Sequence, residues 1–284
     1  MPISHINGTA FTSVSHRNGA AKASILAING LPRQTGEELR VAAEAAATAA
    51  SATLFYIKSD RSNIFQDTAA ATPATTVTDP IGRINAVVGS ETLTQASLRP
   101  TLIATSGGYG WNCDGTDDTL SLSVAYFADG DDTFVIAAGV PAESSTARVI
   151  FHCGTSGTNV RYPYLAVLAT DIPNASWRGD DTVLRSCDGP IGVSDLPGVL
   201  TAWKSGLTKQ LYLNGVQAGS TESNAVGSIA SITRSRINSN SSNGNCFLGP
   251  IGLICISKTM TSAQRVAIER FAAYIVGATY TVGL

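Results

Sequence analysis

Charged side chains are scarce in this 284-residue sequence: Asp, Glu, Lys and Arg make up 14% of it, against roughly 25% in ordinary globular chains. The 19 Lys and Arg are scattered and the formal net charge is −2. No basic stripe offers the phosphate neutralisation on which nucleic-acid affinity rests, so nucleic acid is not an expected partner. Histidine is rarer still, and His5, His16 and His152 are too few and too far apart for a metal triad. The five cysteines, Cys113, Cys153, Cys187, Cys246 and Cys255, are odd in number and never form C-x-x-C. That excludes a zinc ribbon and a disulfide framework and leaves buried free thiols. No window holds 18 consecutive apolar residues, and Met1-Pro2-Ile3-Ser4-His5 opens neither a charged n-region nor an apolar h-region. The expectation is a soluble chain made in the cytosol, without a membrane partner.

Catalytic groupings are missing as well. Glycosidases on β scaffolds need two carboxylates flanking the scissile bond, and the β-rich region offers only Glu91, Glu143, Glu222 and Glu269, in expected loops or the last helix. Ser186-Cys187-Asp188 and His152-Cys153 come without a nucleophile elbow. The sequence therefore predicts a protein that is not an enzyme and takes no cofactor.

What is abundant is apolar residues, 44%, and turn chemistry. Asn7-Gly8, Asn18-Gly19 and Asn29-Gly30 recur at a spacing of eleven, each after a short apolar run such as Ile25-Leu26-Ala27-Ile28. Asn-Gly tolerates positive φ at both central positions of a type I′ turn, so each copy reads as a strand entering a hairpin. Strands this short make no core alone. Ile3, Ile6, Phe11, Ile25, Leu26, Ile28 and Leu31 then need a second layer from elsewhere. Residues 1–35 are read as an attachment arm. Sister copies could supply its missing layer, with a trimer favoured; the alternative is burial directly against a partner protein.

Thr35-Gly36-Glu37-Glu38 has the form of a capping box, and the Ala-rich run to residue 50 continues it as a helix. Residues 36–52 are read as a helical spacer, with an ordinary surface helix of the main domain as the open alternative. Short β runs follow, among them Thr53 to Ile57, Thr133 to Ala138, Arg148 to His152, Tyr164 to Leu168, Val199 to Trp203 and Gln210 to Leu213. Many such strands at this spacing predict a sandwich or barrel. A second capping box, Thr261 with Gln264, starts a closing helix from Ser262 to Val276, whose stripe of Val266, Ile268, Phe271 and Ile275 ends at Gly277. The predicted fold is mainly β: an antiparallel jelly-roll sandwich over residues 53–284 with a C-terminal helix, preceded by the β-repeat arm and the Ala-rich helix.

Four blocks carry a resemblance. The lead-in Ser62-Asn63-Ile64-Phe65-Gln66-Asp67, with Thr72-Pro73, Asp79-Pro80-Ile81-Gly82 and Leu98 to Leu102, is followed by Trp111-Asn112-Cys113-Asp114-Gly115-Thr116-Asp117-Asp118-Thr119-Leu120. Leu211-Tyr212-Leu213-Asn214-Gly215-Val216 forms a hairpin signature, and Phe247 to Ser257 a closing strand. In this order they resemble the concanavalin A-like, laminin-G-like domains of tailed-bacteriophage structural proteins. The N-terminal repeat is similar to small "I-x-x-I-N-G" segments of virion proteins. The resemblance implies a virion location and a structural role as head fibre, capsid decoration, collar or tail appendage, with other virion proteins as partners. A carbohydrate-binding module that touches a host-surface glycan is the alternative, and a glycan hydrolase the third.

Two groups of residues invite a ligand. Asp114, Asp117 and Asp118, with Asp129, Asp131 and Asp132 nearby in sequence, are the densest acidic grouping, and a calcium ion would need such oxygens. Asp side chains bonding local backbone amides in turns is the preferred reading, so no metal is expected. Among the aromatic residues Tyr162, Tyr164, Trp177, Trp203 and Tyr212, the polar surroundings of Trp177 make it the candidate for an exposed glycan contact, whereas Trp203 and Tyr212 are expected to be buried.

Overall fold

The computed structural model describes residues 5–6, 9–10, 27–28, 31–32, 34–122, 125–141, 146–155, 161–190, 192, 197–229, 232–239 and 246–281. At the N-terminus β1 (His5–Ile6) pairs antiparallel with β2 (Thr9–Ala10), Ile6 opposite Thr9. In the same way β3 (Ala27–Ile28) pairs with β4 (Leu31–Pro32), Ile28 opposite Leu31. These are the strand ends expected on either side of Asn7-Gly8 and Asn29-Gly30. Those turn residues, and Ile3, Phe11, Asn18, Gly19 and Ile25, lie outside the described residues.

Helix α1 (Gly36–Ala49) begins with the expected box, Thr35 Oγ1 accepting from the Glu38 amide while the Glu38 carboxylate accepts from the Thr35 amide. The chain then builds β5 (Thr53–Tyr56), β6 (Ile64–Phe65), β7 (Arg83–Asn85), β8 (Thr92–Thr94), β9 (Thr101–Thr105), β10 (Gly108–Asp114) and β11 (Leu120–Leu122). After these come β12 (Thr133–Gly139), β13 (Arg148–Gly154), β14 (Arg161–Val167), β15 (Pro173–Arg178) and β16 (Arg185–Asp188). The last strands are β17 (Gly198–Ser205), β18 (Thr208–Leu213), β19 (Val216–Glu222), β20 (Arg234–Ile237) and β21 (Leu248–Ser257), before α2 (Ser262–Val276). Four of the six β runs read from the sequence fall within these strands, and the other two overrun them by one residue, at Ile57 and Leu168. The hairpin between β18 and β19 turns at Asn214 (φ 51°) and Gly215 (φ 87°), the two left-handed positions that a type I′ turn requires.

Two antiparallel sheets make the sandwich. One has the order β19-β18-β17-β12-β21-β10-β9, with β5 also on β21; the other runs β16-β15-β14-β13-β20-β11-β8-β7-β6. Between them lies the main core, where Trp111, Trp177, Phe151 and Phe247 are fully buried. Each such side chain contributes about 1.5–3 kcal/mol by leaving water. A third layer covers the outer face of the first sheet. Phe134, Ile136, Leu253 and Cys255 meet Ile268, Phe271 and Ala272 of α2 and Ala43 and Ala47 of α1 in a second core.

The expected spacer is thus corrected: α1 packs on α2 and on the sandwich, and it does not stand off as a stalk. Its alanines are the reason, because Ala43 and Ala47 are fully buried and small enough to let the helix approach closely. The Ala50 carbonyl at its C-terminus accepts from the Ser257 and Thr259 hydroxyls, which satisfies one of the helix's orphan acceptors. The closing helix is anchored by a buried charge. Glu269 accepts from Thr201 Oγ1 (2.5 Å), Tyr280 (2.7 Å) and Arg265 (3.0 Å), while the Arg265 guanidinium lies 3.8 Å from the centre of the Tyr212 ring.

Candidate functional site

Strands β10 and β5 lie end to end along one edge of β21: Asp114 to Trp111 pair with Leu248 to Ile251, and Tyr56 to Thr53 with Leu253 to Ile256. The two strands meet at the Ile57–Tyr109 bridge and part beyond it. The turn between β9 and β10 climbs towards the helices, where the Gly107 amide donates to the Ile275 carbonyl. A solvent-open groove of about 420 Å³ is left where α1, α2, the end of β5 and this turn converge.

One wall of the groove is the Tyr274 ring, 44% exposed and the one large exposed aromatic among the described residues. Two glycines leave it room. A Cβ at Gly36 would come within 2.4 Å of the far end of the ring, and one at Gly107 within 2.8 Å of Tyr274 Cδ1 and 2.4 Å of its carbonyl oxygen. The ring in its present position therefore depends on the absence of a side chain at both.

The floor and rim are polar. Arg40 reaches Glu37 through Nε (2.9 Å) and Nη2 (2.5 Å), and Glu44 through Nη1 (2.5 Å). Tyr56 donates to the same Glu44 carboxylate at 2.5 Å. Burial together with that carboxylate pushes the Tyr56 phenol well above its ordinary range, so it stays protonated at neutral pH. Its Arg40 hydrogen bond holds the Glu37 carboxyl below the usual range, and the Ser62 amide does the same for Asp60. Lys58, Ser59 and Asp60 complete the rim, and Tyr109 lies at its inner end with the Arg61 guanidinium 5.2 Å from its ring centre.

Trp177 is elsewhere, and the expectation of an exposed contact is corrected. It lies in β15, fully buried, with its indole nitrogen donating to Thr133 Oγ1 at 2.9 Å. Tyr162 and Tyr164 are buried too, whereas Trp203 is only half-buried, its ring 4.4 Å from that of Phe134 and 6.4 Å from that of half-buried Tyr212.

Asp114, Asp117 and Asp118 do come together, with a carboxylate oxygen of each within 4.8 Å of the others. Their bonds are those of a turn. Asp114 Oδ1 accepts from the Thr116 and Asp117 amides, and Asp118 Oδ2 from the Asp114 amide. Of the arm residues, Ile6 and Ile28 fall in the described strand pairs. A second, small cavity, of about 70 Å³, is lined by Ile150, Val167, Leu200, Leu213 and Phe247, and its one polar side chain, Asn214, already accepts from the Val199 amide.

No protein-family model matches the chain, and its sequence matches no curated protein. Solved structures do resemble it. A Trypanosoma rangeli sialidase in complex with the inhibitor DANA aligns over 74% of this chain and 35% of its own, at 10% identity and a TM-score of 0.51. The CBM40 of a Ruminococcus gnavus IT-sialidase, bound to α2,3 sialyllactose, aligns over 48% of this chain and 81% of its own, at 13% identity and a TM-score of 0.43. The likeness is one of fold. It is a likeness between β-sandwiches, and this chain aligns with about a third of the trypanosomal enzyme.

Proposed function

We propose that the protein is a carbohydrate-binding module whose glycan lies in the groove between α1, α2 and the β9–β10 turn. The exposed Tyr274 ring carries this reading. An aromatic face offers apolar area to the C–H face of a pyranose, and the carboxylates of Glu37 and Asp60 and the Lys58 ammonium stand around it as partners for hydroxyls. In this reading the module binds without turnover, and Glu44 serves to hold Arg40 and Tyr56 in place. A glycan array with the full chain tests this. Binding that falls at least tenfold in Tyr274→Ala, with an unchanged melting temperature, is the expected result; the absence of binding to any glycan refutes it.

The paired strand ends at residues 5–10 and 27–32 favour a second level to this reading. Two hairpins offset by 22 residues, twice the repeat, support an arm that joins the module to a larger assembly. Taken with the resemblance of that repeat to virion segments, the arm would attach the module to a phage particle, as a fibre, collar or decoration, and present the groove to host-surface glycans. Self-association of residues 1–35, as a trimer, would supply the layer its apolar residues need. Sedimentation of the chain with and without residues 1–35 tests the arm: a species that stays monomeric in both forms refutes self-assembly.

A further inference from the structure

We infer that the groove selects a neutral, hydroxyl-rich glycan over one bearing a carboxylate or sulfate, an inference that rests on the glycan-binding reading above. A sugar acid is recognised best by a free guanidinium fork, whose parallel donors match a carboxylate. The groove has one such fork, Arg40, and both of its edges are taken. Nε and Nη2 are spent on Glu37, and Nη1 on Glu44. Arg61, at the inner end, donates to the Thr75 carbonyl and lies over Tyr109. Among the described residues Lys58 makes no ion pair within 4.0 Å, and Asp60 and Glu37 stand on the same rim. The groove's own ionic groups, Glu37, Arg40, Lys58 and Asp60, sum to zero. Adding Glu44, behind Arg40, and Arg61, over Tyr109, leaves the sum at zero.

An incoming anion would therefore lose its hydration shell and gain at most one ammonium partner, against the repulsion of exposed carboxylates. A neutral pyranose meets the opposite situation. Its hydroxyls donate to Glu37 and Asp60, accept from Lys58, and leave the existing Arg40 pairs intact while its C–H face covers Tyr274.

The test compares neutral gluco-, galacto-, manno- and N-acetylhexosamine oligosaccharides with sialyllactose, oligo-uronates and sulfated oligosaccharides on the full chain, at about 50 and 500 mM salt. The expected result is at least tenfold tighter binding of a neutral glycan, changing less than about twofold with salt because no net ion pairing forms. Asp60→Asn should weaken that binding more than Lys58→Ala does, both variants melting as the parent. Tighter binding of an acidic glycan that fades in high salt and in Lys58→Ala overturns the inference while leaving the groove as a glycan site. Binding of neither class, or binding that Tyr274→Ala leaves intact, overturns both.

Discussion

Trp177 is flanked by polar residues, Ser176 and Arg178, yet closes the inter-sheet core, whereas Tyr274 is flanked by apolar ones, Ala272, Ala273, Ile275 and Val276, yet stands partly in water at the groove. Trp177 belongs to a strand whose alternate residues, Ala175 and Trp177, face the core. Tyr274 belongs to a helix whose stripe of Ile268, Phe271 and Ile275 is buried without it. The difference lies in the period of the surrounding pattern, two for the strand and 3.6 for the helix, and not in local polarity.

The largest effect that separates the two regions is expected in the cores. Trp177→Ala removes a fully buried indole and strands the Thr133 hydroxyl, and should cost about 3–5 kcal/mol in denaturant titration. Glu269→Ala should cost a similar amount, about 3–5 kcal/mol, because it leaves Arg265 buried without its counter-charge. A loss below about 1 kcal/mol in either variant would contradict the packing described for it.

Much of this contrast was legible in the sequence. The β runs, both capping boxes and the Asn214-Gly215 turn were readable because they rest on local chemistry: alternation, a hydroxyl three residues before a carboxylate or amide, and tolerance of positive φ. Trp177 was misplaced because Asn174, Ser176, Arg178 and Asp180 suggested a loop. The alternation Asn-Ala-Ser-Trp-Arg over 174–178 was in fact a strand signal, with the polar residues on the other face. The groove was not legible, since Gly36, Tyr56, Gly107 and Tyr274 converge only after the helical layer has folded onto the sheet. Its one sequence trace is an aromatic off the apolar stripe of a well-capped helix.

Intermediate effects should come from the glycines that join the two regions. Gly107→Ala places a methyl 2.4 Å from the Tyr274 carbonyl oxygen, which neither the turn nor the helix can yield cheaply. A cost of about 1–3 kcal/mol is expected, together with loss of glycan affinity. Gly36→Ala meets only the far end of the ring, so its main effect should be to move Tyr274: a lower melting temperature by a few degrees at most, and weaker glycan binding. Tyr274→Ala itself should leave stability within about 1 kcal/mol, as a half-exposed side chain contributes little burial. Equal stability losses in Tyr274→Ala and Trp177→Ala would erase the distinction drawn between them.

The smallest expected effect concerns two carboxylates that titrate in opposite directions. At Asp60, on the groove rim, the Ser62 amide holds the folded-state pKa below its ordinary value. Its contribution to stability is therefore present above the ordinary carboxylate range and is lost as pH falls through the lowered value. At Asp118 burial raises the carboxyl, and the Asp114 and Asp117 charges add to this, against the opposing Asp114 amide. The folded state then holds that proton more tightly than the unfolded chain, so the ionised carboxylate disfavours folding at neutral pH, and the penalty is relieved as pH falls through the raised value. Asp118→Asn keeps an oxygen for the Asp114 amide and removes the charge. Its melting temperature should exceed the parent's slightly at pH 7, with the difference shrinking as pH approaches the ordinary carboxylate range. Calcium should alter neither protein, because Asp114 and Asp118 already accept backbone amides within their turn. A melting temperature that rises in millimolar calcium for the parent, and not for Asp118→Asn, would instead make the acidic turn a cation site.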